Sequence, residues 1–377
     1  MSLTTESRKG LDYTFRRFEP GDERGFLDLF ETTWGERRGE DWFRWRFEEN
    51  PYLDHVPMFV ADHDGDVVGV RPYFAFRMRV AGGTELALLT VDTMVHPDHR
   101  GRGLFTTMTE QSLEFYADRD VSFVFNQPNG ASRPGFESAG FRVLDECRTF
   151  HRVQRPSAFL ERRLEIPGKE AIARGADRVG TAYRRLPGAG EWETDGVDVE
   201  RHRGVAATAL SQLARRSAFP GITAERDVPF YEWRFASPLW DRATYVANVD
   251  GEPVAGILAR TRTTEEGVTV TQVADLVPLS GGRTWKRGLA ACLEAVLTDA
   301  VTADLVSAPG RAFPADVAAA YGFRSDDKLP LSAVAKADAV LCVKSLQHGD
   351  TGPWNVNGIS LCDPRNWALT FAEQDTT

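Results

Sequence analysis

The chain has 377 residues, 42% of them hydrophobic and 27% charged, which is too long for one ordinary core and outside the composition of disordered chains. Its formal net charge of -10, carried against basic side chains that are mostly arginine, excludes general nucleic-acid binding, because neutralising phosphates takes a basic surface. No run approaches the ~20 apolar residues of a membrane span, and the first residues, MSLTTESRKGLDYTFRRFEPGD, lack the apolar core of a signal peptide. Cys147, Cys292, Cys342 and Cys362 are too far apart to form the short pairs of zinc or redox sites. A cytoplasmic protein with ordinary core thiols is the expectation.

In chain order, residues 11–153 read as one α/β unit. The run YTFRRFE predicts a strand, and residues 21–50 carry helical apolar spacing, ending in the aromatic and basic run WFRWRF. PMFVADHDGDVVGVRPYFAFRMRVAG predicts two strands joined at an Asp64-Gly65 hairpin turn, and TELALLTVDTMV a long strand. Residues 104–118 predict an amphipathic helix with Leu104, Phe105, Met108, Ser112, Phe115 and Tyr116 on the buried face, so core packing is the expected job of Tyr116. VSFVF predicts a strand, residues 132–139 a short helix, and FRVLDECRTFHRV closes the unit.

The pattern then returns. Trp45-Arg46-Phe47 is matched by Trp233-Arg234-Phe235, VDTMVHP (91–97) by VADLVP (273–278), and QPNGASRPGFESAGF (127–141) by SAPGRAFPADVAAAYGF (307–323). Three matches in the same order indicate tandem duplication of a unit of about 150 residues. The expected division is 1–155 for the first unit, 156–195 for a partly helical linker, 196–345 for a degenerate second unit, and 346–377 for a tail without counterpart.

The stretch VHPDHRGRGLF (95–105) joins a strand to a helix through two glycines and two arginines. The first amides of a helix lack internal partners and lie at the positive end of its dipole, so this turn suits an anion. Gly101 and Gly103 leave room for a phosphate, and Arg100 and Arg102 add charge. Val95-x-Pro97-x-x-Arg100-Gly101-x-Gly103-Leu104, followed by NGASRPGFESAGF (129–141), resembles the two halves of the signature of the GNAT superfamily of acyl-CoA-dependent N-acyltransferases. The tandem arrangement is similar to the enhanced-intracellular-survival branch of that superfamily.

The resemblance implies a mixed sheet in each unit, flanked by helices and splayed open where the pantetheine arm of the coenzyme lies. By position, Met94 and Val95 would offer main-chain contacts to the arm, Arg100 to Leu104 would cradle the diphosphate, and Asn129 and Ser132 would border the far side. Phe105 departs from the signature, which prefers a small residue there. A tyrosine often serves as the acid in similar enzymes; its place is held by Phe136, which has no proton to give. The terminal carboxylate of similar tandem enzymes marks Thr377 as a further candidate.

The expected reaction is transfer of acetyl from acetyl-CoA, without a metal, to a primary amine of a small molecule or sugar by direct attack. Asp92, a carboxylate in an apolar strand, is costly there unless functional or paired. It either deprotonates or orients the acceptor amine, or pairs with an arginine such as Arg71 or Arg77. His96 and His99 lack a third ligand and read as a solvated loop. WFRWRF either lines an acceptor pocket or packs helix on sheet. The second unit lacks the Arg-Gly-x-Gly turn, so one coenzyme per chain is expected. Self-association is left open. A non-catalytic acyl-CoA sensor and an aminoacyl-tRNA-dependent transferase are the other readings; the acidic balance counts against the second.

Overall fold

The structure is a computed structural model that describes residues 4–155, 192–265, 267–328, 339–347 and 354–375. The expected linker falls almost entirely outside the described residues, and so does Thr377. Strands β1 (Thr4–Arg8) and β2 (Leu11–Arg17) form a hairpin whose turn, Lys9 and Gly10, has φ of 51° and 79°. Only the second of these strands is legible in the sequence, since TTESR carries no apolar alternation. Helix α1 (Glu23–Trp34) buries Phe26, Leu29 and Phe30 and stops at Gly35, whose φ of 75° returns its N–H to the Glu31 carbonyl. A short helix α2 (Glu40–Phe43) runs into a wider π-helical turn, Arg44–Glu48. Widening the turn buries Trp45, Arg46 and Phe47 together, beyond Trp42 and Phe43.

Strands β3 (Met58–His63) and β4 (Asp66–Val80) meet at Asp64 and Gly65, both left-handed, as the hairpin reading requires. Then come β5 (Gly83–Thr90), β6 (Met94–Val95), α3 (Leu104–Ala117), β7 (Val121–Asn126), α4 (Arg133–Ser138), β8 (Arg142–Glu146) and β9 (Thr149–Val153). The second unit repeats the order as β10 (Val197–Arg203), α5 (Ala207–Ala214), β11 (Ile222–Ala224), α6 (Val228–Arg234), β12 (Asp241–Val249), β13 (Glu252–Thr263) and β14 (Thr269–Val277). It continues with α7 (Arg283–Asp299), β15 (Leu305–Pro309), α8 (Ala315–Ala320), β16 (Arg324–Ser325) and β17 (Val340–Ser345). A small hairpin, β18 (Asn355–Val356) and β19 (Ile359–Ser360), opens the tail.

The strands make two mixed sheets. The first runs β1-β2-β3-β4-β5-β7-β17-β8, with β6 and β11 also on β4; the second runs β10-β12-β13-β14-β15-β9-β16. Each contains one parallel pair, β5 with β7 and β14 with β15, at matching places in the repeat. The duplication is exact in register, because Gly69 faces Val95 in the first sheet and Gly256 faces Val277 in the second.

The units exchange strands. β9 leaves the first unit to lie between β15 and β16, and β17 enters the first sheet between β7 and β8. FRVLDECRTFHRV therefore does not close the first unit as expected; the chain crosses between sheets at Cys147-Arg148. A division at 155 and 345 likewise does not coincide with the division of the sheets. Two pieces that each need a partner edge satisfy their backbone groups in each other's sheet, which ties the units together.

Alternation along β4 sets the two faces of the first sheet. Tyr73 and Ala75 join the core under α3, whereas Phe74, Phe76 and Met78 join a core shared with Phe230 and Trp233 of the second unit. The tail lies in this shared core, with Trp367 against Phe123 and Phe125.

Candidate active site

The expected long strand TELALLTVDTMV is broken. β5 pairs with β7 as far as Leu89 and Phe125, residues 91–93 leave the ladder, and β6 resumes on β4 with Met94 facing Val70. Asp92 sits in the break with φ of 36°, a left-handed conformation that a non-glycine residue takes only when its surroundings hold it there. It is thus not a mid-strand residue facing one side of a sheet. Where β5 and β7 part, a cleft of about 470 Å³ opens, and Trp34, Asp92, Phe105, Asn129, Ser132 and Asp375 are among its walls.

The arginine-glycine turn stands at the start of α3, whose first turn supplies Phe105 to that cleft. Gly101 and Gly103 have φ of 69° and 78°, so both need the freedom of glycine. A methyl group on Gly101 would meet nothing within 4 Å, which leaves open space over the turn, while one on Gly103 would run into the guanidinium of Arg8. Arg8 donates to the Arg102 carbonyl at 3.2 Å and to Thr107 Oγ1 at 2.6 Å, bracing the turn from β1. The bond from the Thr107 N–H to the Gly103 carbonyl, 3.0 Å, leaves the amides of residues 104–106 without partners inside the helix. Arg100 is exposed and bends back to the Val95 carbonyl at 3.1 Å. Met94 is buried, and neither it nor Val95 lines the cleft; the carbonyl of Val95 already has Arg100 as its donor.

Phe105 fits because the opposite helix makes room. A methyl group on Gly135 would come within 2.7 Å of the Phe105 ring, so the phenyl lies where a side chain on α4 would otherwise be. Phe136 is buried beside it at 5.7 Å between ring centroids, and the buried Arg71 guanidinium sits 5.2 and 4.8 Å from the two rings. Phe136, with no proton to give, thus borders the cleft beside the Arg71 guanidinium. Asn129 Oδ1 accepts from the amides of Ala131 and Ser132, both at 3.1 Å, and so shapes the turn into α4.

Asp92 is paired, but with neither Arg71 nor Arg77. Arg71 donates to Thr93 and Tyr73, and Arg77 pairs with Glu225. The partner is Arg46, fully buried, whose Nε reaches Asp92 Oδ2 at 2.5 Å. The same guanidinium binds Asp375, and Asp375 Oδ2 accepts the main-chain N–H of Asp92 at 3.1 Å. Burial pushes the Asp92 carboxyl up to about 6 against the pull of Arg46, with Asp375 adding to the rise. A carboxylate poised there can hold or release a proton near neutrality.

Sequence reasoning missed Trp34, Arg46 and Asp375. Arg46 had a signal, since a cation amid four aromatic residues needs an anion when the run folds inward. In the run WFRWRF all but the exposed Arg44 are buried and none lines this cleft, although Phe43 and Arg44 border a separate hollow beside α1; Tyr116 is buried as expected, with its hydroxyl 3.2 Å from His55. His99 bonds to the Tyr13 hydroxyl at 2.8 Å, and no group of three or more His, Cys, Asp or Glu side chains able to hold a metal occurs among the described residues. In the second unit the turn before α7 lacks the Arg-Gly-x-Gly sequence: the Trp285 side chain lies within 2.6 Å of where a Cβ on Gly281 would stand, while the space beside Gly282 is open, and Phe313 is buried close to the end of β15.

The sheet parts between β5 and β7, and a glycine turn stands at the head of the helix between them. Residues 14–144 match the acetyltransferase (GNAT) domain family. Over both units the fold is that of solved GNAT structures. The chain resembles a GCN5-related N-acetyltransferase from Anabaena variabilis at 10% identity and a TM-score of 0.57, covering 89% of this chain and 73% of that one. A probable N-acyltransferase from Enterococcus faecalis is similar at 9% identity, 0.57, 89% and 73%. The N-myristoyltransferase of Saccharomyces cerevisiae with bound myristoyl-CoA is similar at 13% identity, 0.57, 91% and 80%. No curated protein matches the sequence. Among the described residues no helix is long and apolar enough to cross a membrane.

Proposed function

We propose that the chain is an acyl-CoA-dependent N-acyltransferase that moves acetyl from acetyl-CoA to a primary amine of a small molecule or sugar. The observation that carries this reading is the left-handed glycine turn with open space over Gly101, placed at the head of α3 where the sheet parts. Arg100, Arg102 and the free amides of α3 hold the diphosphate, and the cleft beside Phe105, Asn129 and Ser132 receives the pantetheine arm and the thioester. The tandem repeat supports placing it with the enhanced-intracellular-survival branch, and we read the acidic charge as that of a cytoplasmic protein.

The chemistry is direct attack. The amine nitrogen forms a bond to the thioester carbonyl carbon, the C–S bond breaks, and the amine proton passes to Asp92, directly or through water. With Phe136 at the place of the usual acid, the coenzyme leaves as thiolate and takes its proton from solvent. That same buried phenyl favours one other reading, a non-catalytic acyl-CoA sensor.

Thiol release from acetyl-CoA over a panel of amines separates the two. The enzyme reading expects steady turnover with at least one amine and a fall in kcat/KM below a pH of about 6, where Asp92 takes up its proton. Coenzyme binding with no turnover on any amine sinks it.

A further inference from the structure

Asp92 is one corner of a closed arrangement. Its Oδ2 accepts from Arg46 Nε at 2.5 Å, the other arm of that guanidinium binds Asp375 Oδ1, and Asp375 Oδ2 takes the Asp92 N–H at 3.1 Å. Carboxylate, guanidinium, second carboxylate and peptide thus form a ring at the edge of the cleft. Oδ1 of Asp92 has no partner among the described residues and is left for the cleft, which Asp92 lines.

The second carboxylate comes from the tail, and the tail is fixed by the second unit. Arg234 donates to the carbonyls of Ala372 and Gln374 at 2.7 and 2.6 Å. Glu373 between them is buried and accepts from the Ala224 N–H at 3.1 Å and from Arg226. Arg234 is the counterpart of Arg46 in the repeat, so one copy of the duplicated arginine holds the tail and the other receives its carboxylate.

We propose that Asp375 is a positioning residue for Asp92, through which the second unit and the tail complete the site of the first. The inference rests on reading Asp92 as the proton acceptor. Two physical effects carry it. The bond from the Asp92 amide to Asp375 holds the left-handed backbone in the break, and with it the direction of Oδ1. Asp375 also shares the charge of Arg46, so that guanidinium is not spent on Asp92 alone. The charged groups around Asp92 are Arg46 from the π-helical turn, Arg38 from the loop after α1, and Asp375 from the tail. Burial and Asp375 favour the proton on Asp92, whereas both arginines oppose it.

Asp375→Asn removes the charge and keeps the shape. Its Oδ1 can still accept the Asp92 N–H, but Asp92 then faces Arg46 and Arg38 alone and becomes a weaker base. The expected result is an acidic limb of the kcat/KM profile moved down by about one pH unit, with kcat lower by about tenfold and the KM for acetyl-CoA unchanged. Asp375→Glu restores most of the rate, and Asp375→Ala loses more than the asparagine variant. A limb that stays in place in Asp375→Asn overturns the proposal, whether or not kcat falls, because a merely structural residue does not move it. A carbon-13 carboxyl titration without substrate, with the Asp92 signal identified by its loss in Asp92→Asn, keeps the two readings apart. If no amine turns over, the acyltransferase reading fails, while a lowered Asp92 midpoint in Asp375→Asn still supports the link and an unchanged one ends it.

Discussion

The indole N–H of Trp45 donates to the main-chain carbonyl of Trp233 at 2.7 Å, and the indole of Trp233 returns the bond to the carbonyl of Trp45 at 3.1 Å. The two residues hold the same place in the two copies of the repeat, so the units meet through a self-complementary contact of the kind that joins symmetric dimers. Both bonds are buried, and the Phe74 and Phe76 rings of β4 pack on Trp233. Trp45→Phe and Trp233→Phe each remove one of these bonds, the Trp233 carbonyl keeping the Ala236 N–H at 3.1 Å, and should each cost about 0.5–1.5 kcal/mol in urea unfolding. Because the bonds are neighbours, the double variant should depart from additivity by at least about 0.5 kcal/mol. Wild-type unfolding midpoints in both single variants would show the contact to be incidental.

Gly135 and Phe105 form a second coupled pair. Replacing a helical glycine by alanine ordinarily stabilises by up to about 1 kcal/mol, but here the new methyl would press on the Phe105 ring. Gly135→Ala is therefore expected to destabilise by about 1–3 kcal/mol and to weaken acetyl-CoA binding, since the displaced ring borders the cleft. Phe105→Ala in the same chain should recover part of the binding. A Gly135→Ala protein that melts higher than wild type and binds as well refutes the coupling.

The exchanged strand β9 carries a pH dependence. His151 accepts or donates a bond at 2.9 Å to Ser307 of β15, and burial pushes its imidazole down to about 4. The folded chain then binds fewer protons there than the unfolded chain, whose histidine titrates near 6.5. Between these values stability rises with pH and is lost on acidification, fully present above about 6.5 and gone by about 4. His151→Gln should flatten part of the fall in Tm between pH 7 and pH 5. An identical pH dependence in the variant contradicts this assignment.

Much of the first unit was legible because periodicity and turn chemistry agreed locally. Asp64-Gly65, the face of α3 bearing Leu104, Met108 and Tyr116, and the start of that helix after Gly103 are fixed by residues close in sequence. The repeat was legible for the same reason, since Trp45-Arg46-Phe47 and Trp233-Arg234-Phe235 are contiguous. The exchange of β9 and β17 was not, because edge pairing between distant segments leaves no local mark. Asp92 shows the limit most clearly: alternation placed it in a continuous strand, but the strand breaks where it leaves β7, and its partners lie 46 and 283 residues away. No pattern within the strand could have named Arg46 or Asp375.

The second unit offers the same fold without the Arg-Gly-x-Gly turn, and Trp285 packs over Gly281. Calorimetric titration with acetyl-CoA therefore tests the central claim most directly. The account predicts one site per chain, and a loss of at least about 100-fold in affinity in a folded Arg100→Glu, Arg102→Glu, Gly103→Val variant, the weight of two charge-assisted phosphate contacts. Two equivalent sites, or undiminished affinity in that variant, would contradict it.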